Sequence, residues 1–200
     1  MSSTENLSDE ALIAATRAWL EKAVIGLNLC PFAKAVHVHG QIRYSISRAR
    51  SLDELLDDLE NELRFLAASE PEKVDTTFVI HPHVFGEFLE YNDFLERADE
   101  LVEELGLAGN LQVASFHPRY QFANTEVDDI TNFTNRSPYP MLHLLRESSV
   151  DAAVAAFPEA ESIYLKNMET MRTLGRSGWE ALGIPSAPSI ESTHRDDDQR

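Results

Sequence analysis

Apolar residues recur at two different spacings along the chain, and the spacing predicts the elements. Leu12, Ala15, Trp19, Ala23 and Leu27 form one stripe at helical period. Ser8 precedes the stripe as a side-chain cap, with Asp9 and Glu10 in the first turn where carboxylates favour the dipole. Gly26 stands at the end as a C-cap. A second helix starts at the capping box Ser51-x-x-Glu54 and turns Leu52, Leu55, Leu56, Leu59, Leu63 and Leu66 inward. A third covers about 86–105, with Phe88, Leu95, Val102 and Leu105 inward, and stops at Gly106. Two more are predicted at 138–156 and 159–174, separated by Phe157-Pro158.

Three segments read as strands. "QIRYSIS" (41–47) alternates Ile42, Tyr44 and Ile46 with polar residues, as a half-exposed strand does. "TTFVI" (76–80) suits a central strand covered on both faces. "LQVASF" (111–116) lies between these extremes. Strands alternating with full-length helices predict an α/β fold: a small, mainly parallel sheet built from βαβ units with right-handed crossovers, flanked by about five helices. Residues 1–7 read as a flexible N-terminus and 8–180 as a single α/β domain. The stretch 186–200, rich in Ser, Pro and Asp without periodicity, reads as a disordered acidic tail.

Composition narrows the partners. A chain of 200 residues fits one domain and buries enough surface to need no staples. The formal net charge of −17 argues against nucleic acid or an anionic membrane, because no face becomes basic enough to release phosphate counterions. The single cysteine excludes an internal disulfide, the polar start is unlike a signal peptide, and no apolar run approaches a membrane span. A cytoplasmic location is the expectation.

The candidate chemistry gathers where strands end. "FVIHPHVF" (78–85) and "ASFHPRYQF" (114–122) both run into His-Pro, at His81 and His117. Proline ends a strand for want of an N–H and holds the preceding residue extended. In open α/β sheets ligands sit at the carboxyl ends of the parallel strands. His81 and His117 are therefore expected at one rim, to share a ligand, a metal or a proton-transfer role. The aperiodic segment Arg119 to Asn135 carries too much apolar surface to stay loose and predicts an ordered cover bearing Asp128 and Asp129. At its end Ser137 is expected to cap a helix opened by Pro138. Arg136 beside that N-terminus makes an anion site for a small anionic molecule, or else pins the loop through Asp128 or Asp129.

Two His-x-His pairs, His37/His39 and His81/His83, place imidazoles on one side of an extended chain. His81, His83 and His117 with Asp129 form the expected metal set, its nitrogen and oxygen donors suiting zinc, iron or manganese. His143, among Met141, Leu142, Leu144 and Leu145, reads instead as a core residue with its hydrogen bonds satisfied. Cys30, in "GLNLCPFAK", is read in two ways. As N-cap of a short helix opened by Pro31, it is a thiol of lowered pKa and a candidate nucleophile. Among Leu27, Leu29 and Phe32 it is a buried, inert sulfur.

Together "GLNLCPFA", "SFHPRYQFA" and "NRSPYPMLHLLRE" resemble a bacterial family of unknown function, DUF1415, over most of residues 10–180. The resemblance implies one whole domain and brings no activity. The residues favour a small-molecule enzyme, metal-dependent in one version, with His81, His117 and Asp128 as ligands or acid–base groups and Arg136 holding substrate. The alternatives are a metal-free enzyme using Cys30 or histidine acid–base chemistry, and a non-catalytic module binding an anionic metabolite or partner.

Overall fold

The computed structural model describes residues 7–156 and 162–185. Most of the expected N-terminal tail, the Phe157-Pro158 break and the acidic tail lie outside them. Ser8 caps α1 (Asp9–Trp19), its Oγ accepting from the Ala11 N–H at 3.3 Å, and Leu12, Ala15 and Trp19 face inward. The helix does not run on regularly to Leu27. Leu20–Ile25 is a π-helical turn, and the Gly26 N–H closes on the Glu21 carbonyl at 3.0 Å. The wider turn explains the glycine: a Cβ at Gly26 would stand 2.3 Å from the Lys22 carbonyl oxygen. Gly26→Ala is expected to destabilise the fold by about 1–3 kcal/mol, read as a lower urea midpoint with unchanged slope.

The short α2 (Ala33–Val38) leads into β1 (Ile42–Ile46). His37 and His39 thus belong to a helix and its C-cap, not to an extended pair sharing a face. In α3 (Leu52–Ala68) the Ser51 Oγ accepts from the Glu54 N–H at 3.2 Å, while the Glu54 carboxylate accepts from the Arg50 N–H at 2.7 Å. Leu55, Leu59, Leu63 and Leu66 are fully buried, whereas Leu52 at the helix start is exposed. Next come β2 (Thr76–Ile80) and α4 (Phe88–Glu104), whose buried stripe is Tyr91, Phe94, Ala98, Leu101 and Val102. The expected Phe88, Leu95 and Leu105 lie at its margins.

After β3 (Leu111–Phe116) and a 3₁₀ turn at Ile130–Thr134, the chain departs from expectation. The helix expected over 138–156 is a strand, β4 (Met141–Arg146), followed by α5 (Glu147–Ala156). "MLHLLR" is covered on both faces, so its apolar residues are continuous, and a short continuous run carries no period to separate strand from helix. Pro138 and Pro140 set the extended entry. The last helix, α6, spans Ile163–Ala181 and breaks at Gly175, whose φ of 63° and ψ of 177° need glycine.

The extra strand corrects the sheet. Its order is β1-β2-β4-β3; β1 and β2 are parallel, and β4 inserts antiparallel to both β2 and β3. The sheet is mixed, not mainly parallel. Val79, Leu142 and Leu144 pack with α3 and α4 on one face. Phe78, Ile80 and Met141 pack with α1 and the π-turn on the other. Among the described residues no helix is long and apolar enough to cross a membrane.

Candidate functional site

Because β2 and β3 point the same way, their ends carry His81 and His117 to one edge, on either side of the start of β4. The His81 N–H bonds to the Pro140 carbonyl at 3.1 Å and the His117 N–H to the Asn135 carbonyl at 3.3 Å. Both imidazoles stack on the Tyr91 ring, at centroid separations of 5.7 and 5.1 Å, and the Tyr91 hydroxyl donates to the Met141 carbonyl at 2.8 Å. Both are wholly buried.

Their hydrogen bonding differs. The carbonyl of Phe85, a residue held at a φ of 57°, accepts from His117 Nε2 at 2.9 Å, and the Arg119 N–H donates to His117 Nδ1 at 3.0 Å. A carbonyl only accepts and an amide only donates, so this is a neutral imidazole with both nitrogens satisfied. Burial pulls its pKa down to about 4. His81 has neither nitrogen in hydrogen-bonding geometry among the described residues. The Val84 backbone lies near enough to favour the charged form, yet burial dominates and takes the pKa to about 3.

The opposite face of the sheet holds a cavity of about 640 Å³ between the strands, the π-turn, α2 and α5. Trp19, Phe78 and Phe116 make its floor, small residues such as Ala33, Ala114 and Ala153 leave the space, and Cys30 and His143 lie in the wall. His143 pairs across β4 with Ala114 on one side and Phe78 on the other, and its ring stacks on Phe78 at 4.2 Å. By surface area the residue is half-buried, although protein surrounds it densely enough to drive its pKa to about 3. The two agree if its open surface faces the cavity, which it lines.

The hydrogens of this polar group can be assigned from its partners. Thr76 Oγ1 lies 2.6 Å from His143 Nε2 and 2.7 Å from the Leu144 carbonyl oxygen. The hydroxyl's one hydrogen must go to the carbonyl, so Nε2 is protonated and donates to Thr76. Nδ1 is left with a lone pair that no described residue engages and that the protein does not seal off.

The other expected site residues have structural partners. Asp129 Oδ1 accepts from the Thr131 N–H at 2.8 Å and its hydroxyl at 2.7 Å, capping the 3₁₀ turn, and these bonds hold its carboxyl below the usual range. Asp128 is exposed, and its carbonyl accepts from Arg176 at 3.3 Å. Arg136 pins the loop through carbonyls, donating to Tyr120 at 3.2 Å and Val127 at 2.6 Å while stacking on Phe133. Ser137 donates to the Tyr139 carbonyl at 2.7 Å, and no helix starts there. The expected anion site thus lacks its helix N-terminus, because the following segment is a strand. His83 lies beside Arg48 at 3.3 Å. The set His81, His83, His117 and Asp129 is not assembled: no three His, Cys, Asp or Glu among the described residues are placed to hold a metal.

Cys30 is not an N-cap. The short helix starts three residues later, at Ala33, with Phe32 as cap. Burial pushes the thiol up, against the opposing backbone of Phe32 and Ala33. Sequence reasoning missed Tyr91, which looks like any helix-stripe residue, and the cavity, whose only sequence trace is scattered alanines.

The fold and these two sites define a mixed α/β protein with a sealed imidazole cluster on one side of its sheet and an open-walled apolar cavity on the other. The chain belongs to the family described as "Protein of unknown function (DUF1415)", whose model matches residues 11–181. No curated protein and no solved structure matches the chain.

Proposed function

We propose that the protein binds a small, mainly apolar molecule in the cavity beneath α2 and α5, and holds it by a hydrogen bond to His143 Nδ1. The observation that carries this is a cavity floored by Trp19, Phe78 and Phe116 whose wall presents His143 Nδ1, an acceptor that no described residue engages. A ligand hydroxyl or N–H can bond to it while the ligand's apolar part covers the aromatic floor. The volume lies within the range of small-molecule sites, and convergent polar groups in an apolar pocket are their usual mark.

Binding is better supported than catalysis. An imidazole with a pKa of about 3 accepts hydrogen bonds well but is too weak a base for proton abstraction near pH 7. The raised pKa of Cys30 keeps its sulfur a thiol, not a nucleophilic thiolate. As catalysts His81 and His117 have less support still, since both are sealed from solvent.

Titration calorimetry with 1-octanol tests the reading. Binding is expected to the native protein and to be lost in Ala114→Phe, which puts a ring into the space opposite His143. His143→Phe, which keeps the stack on Phe78 but removes the acceptor, is expected to weaken binding about tenfold. An octanol affinity unmoved by Ala114→Phe would sink the proposal.

A further inference from the structure

We infer that the cavity selects its ligand by head group, taking amphiphiles that end in an ammonium or another hydrogen-bond donor and refusing carboxylates and phosphates. This rests on the apolar-ligand reading above and goes further, because it follows from the charge that the wall carries.

Besides the Cys30 thiol and the Trp19 indole, the polar side chains of the described wall are Asp75, Thr76, Gln112, His143 and Ser149. Among the described residues Asp75 is the one lining residue with a charge, and no Lys or Arg lines the space. The Ser149 hydroxyl donates to Asp75 Oδ1 at 2.6 Å, which uses its only hydrogen. The Thr76 hydroxyl has given its hydrogen to the Leu144 carbonyl. His143 has turned its protonated nitrogen to Thr76. What these four side chains leave for a ligand is one imidazole lone pair and the second carboxylate oxygen of Asp75, which no described residue engages, and the exposed Gln112 carboxamide adds both a donor and an acceptor.

Asp75 and His143 line the same cavity. Asp75 directly precedes Thr76, the partner of His143, and its N–H is tied to the Gln41 carbonyl at 2.9 Å. Ser149 brings α5 over the same end. The exposed wall residues Gln112 and Ala152 lie on the neighbouring strand and on α5, so solvent reaches this end of the space. A ligand entering there meets the Asp75 carboxylate with its head while its tail lies on Trp19, Phe78 and Phe116. An anionic head would find like charge and no side-chain cation, in a chain whose formal charge of −17 already repels it. An ammonium head, which only donates, finds an acceptor of opposite charge.

Calorimetric titration at pH 7.5 with octylamine, 1-octanol and sodium octanoate, all below micelle formation, separates the alternatives. Octylammonium is expected to bind most tightly, octanol about tenfold more weakly, and octanoate not measurably. Asp75→Asn is expected to bring octylammonium down to the affinity of octanol, with the variant's urea midpoint showing that it is folded. That variant removes one charge among many, so general attraction of a cation to an acidic protein would survive it. Octanoate binding as tightly as octylammonium, or a preference that persists in Asp75→Asn, overturns the selectivity while octanol binding lost in Ala114→Phe still supports the cavity as a site. If none of the three binds, both inferences fall.

Discussion

Lowering the pH from 7 towards 4 is expected to unfold the protein cooperatively, with uptake of about three protons. His81, His117 and His143 are held neutral in the fold, with pKa values near 3, 4 and 3, whereas a histidine in the unfolded chain titrates near 6.5. Between these values the unfolded state binds more protons than the folded one, so stability falls as pH falls. The loss begins below about 6.5 and continues until the folded pKa values are reached. At pH 4.5 each group contributes a loss on the order of 2–3 kcal/mol, so the three together approach the whole stability of many domains. Around His117, Arg119 and Arg136 oppose protonation and Glu87 favours it, but burial outweighs all three. Circular dichroism against pH, with urea midpoints at each pH, measures the effect. His81→Leu should reduce the uptake by one proton. It should also raise stability at neutral pH by about 1–3 kcal/mol, because a buried group with two unpartnered nitrogens is replaced by an apolar one of similar size. Unchanged stability between pH 7 and 4.5 would contradict the neutral burial of this trio.

Tyr91→Ala is expected to cost about 4–6 kcal/mol, joining the loss of a large buried aromatic to an orphaned carbonyl. The ring is fully buried, stacks on both strand-end imidazoles, and meets Phe85 and Phe88. Its hydroxyl ties α4 to the first residue of β4 through the Met141 carbonyl. Tyr91→Phe keeps the packing and removes only the bond, so its expected cost is smaller, about 1–3 kcal/mol. Urea unfolding of the two variants separates the contributions, and a Tyr91→Phe loss equal to that of Tyr91→Ala would show that the hydroxyl alone fastens this corner.

How much could be read beforehand depended on whether a residue's role was local. The caps at Ser8 and Ser51, the leucine stripe of α3 and the strands at 42–46, 76–80 and 111–116 are set by neighbours a few positions away, and they were legible. His-Pro at 81 and 117 was legible as strand termination for the same reason. β4 was not, because a strand covered on both faces loses its alternation, and its antiparallel insertion is decided by partners far along the chain. With β4 unseen, His143 stood inside an imagined helix, where neither its stack on Phe78 nor its bond to Thr76 could be foreseen. The cavity was hidden more deeply, since empty space is made by several small residues on separate elements and by none of them alone. The cover from Arg119 to Asn135 was expected to display reactive groups. It folds on itself instead, with Asn132 accepting from the Phe122 N–H and the Thr125 hydroxyl and donating to the Glu126 carbonyl.

The helix α5 supplies Ser149, Val150, Ala152 and Ala153 to the cavity wall, yet none of its residues is buried. A segment with so few buried contacts opens at lower cost than the core around it. It continues directly from β4, a strand clamped on both sides, which gives the movement a fixed hinge. Residence time in the cavity would then be set by this flap, leaving affinity and exchange rate free to vary independently.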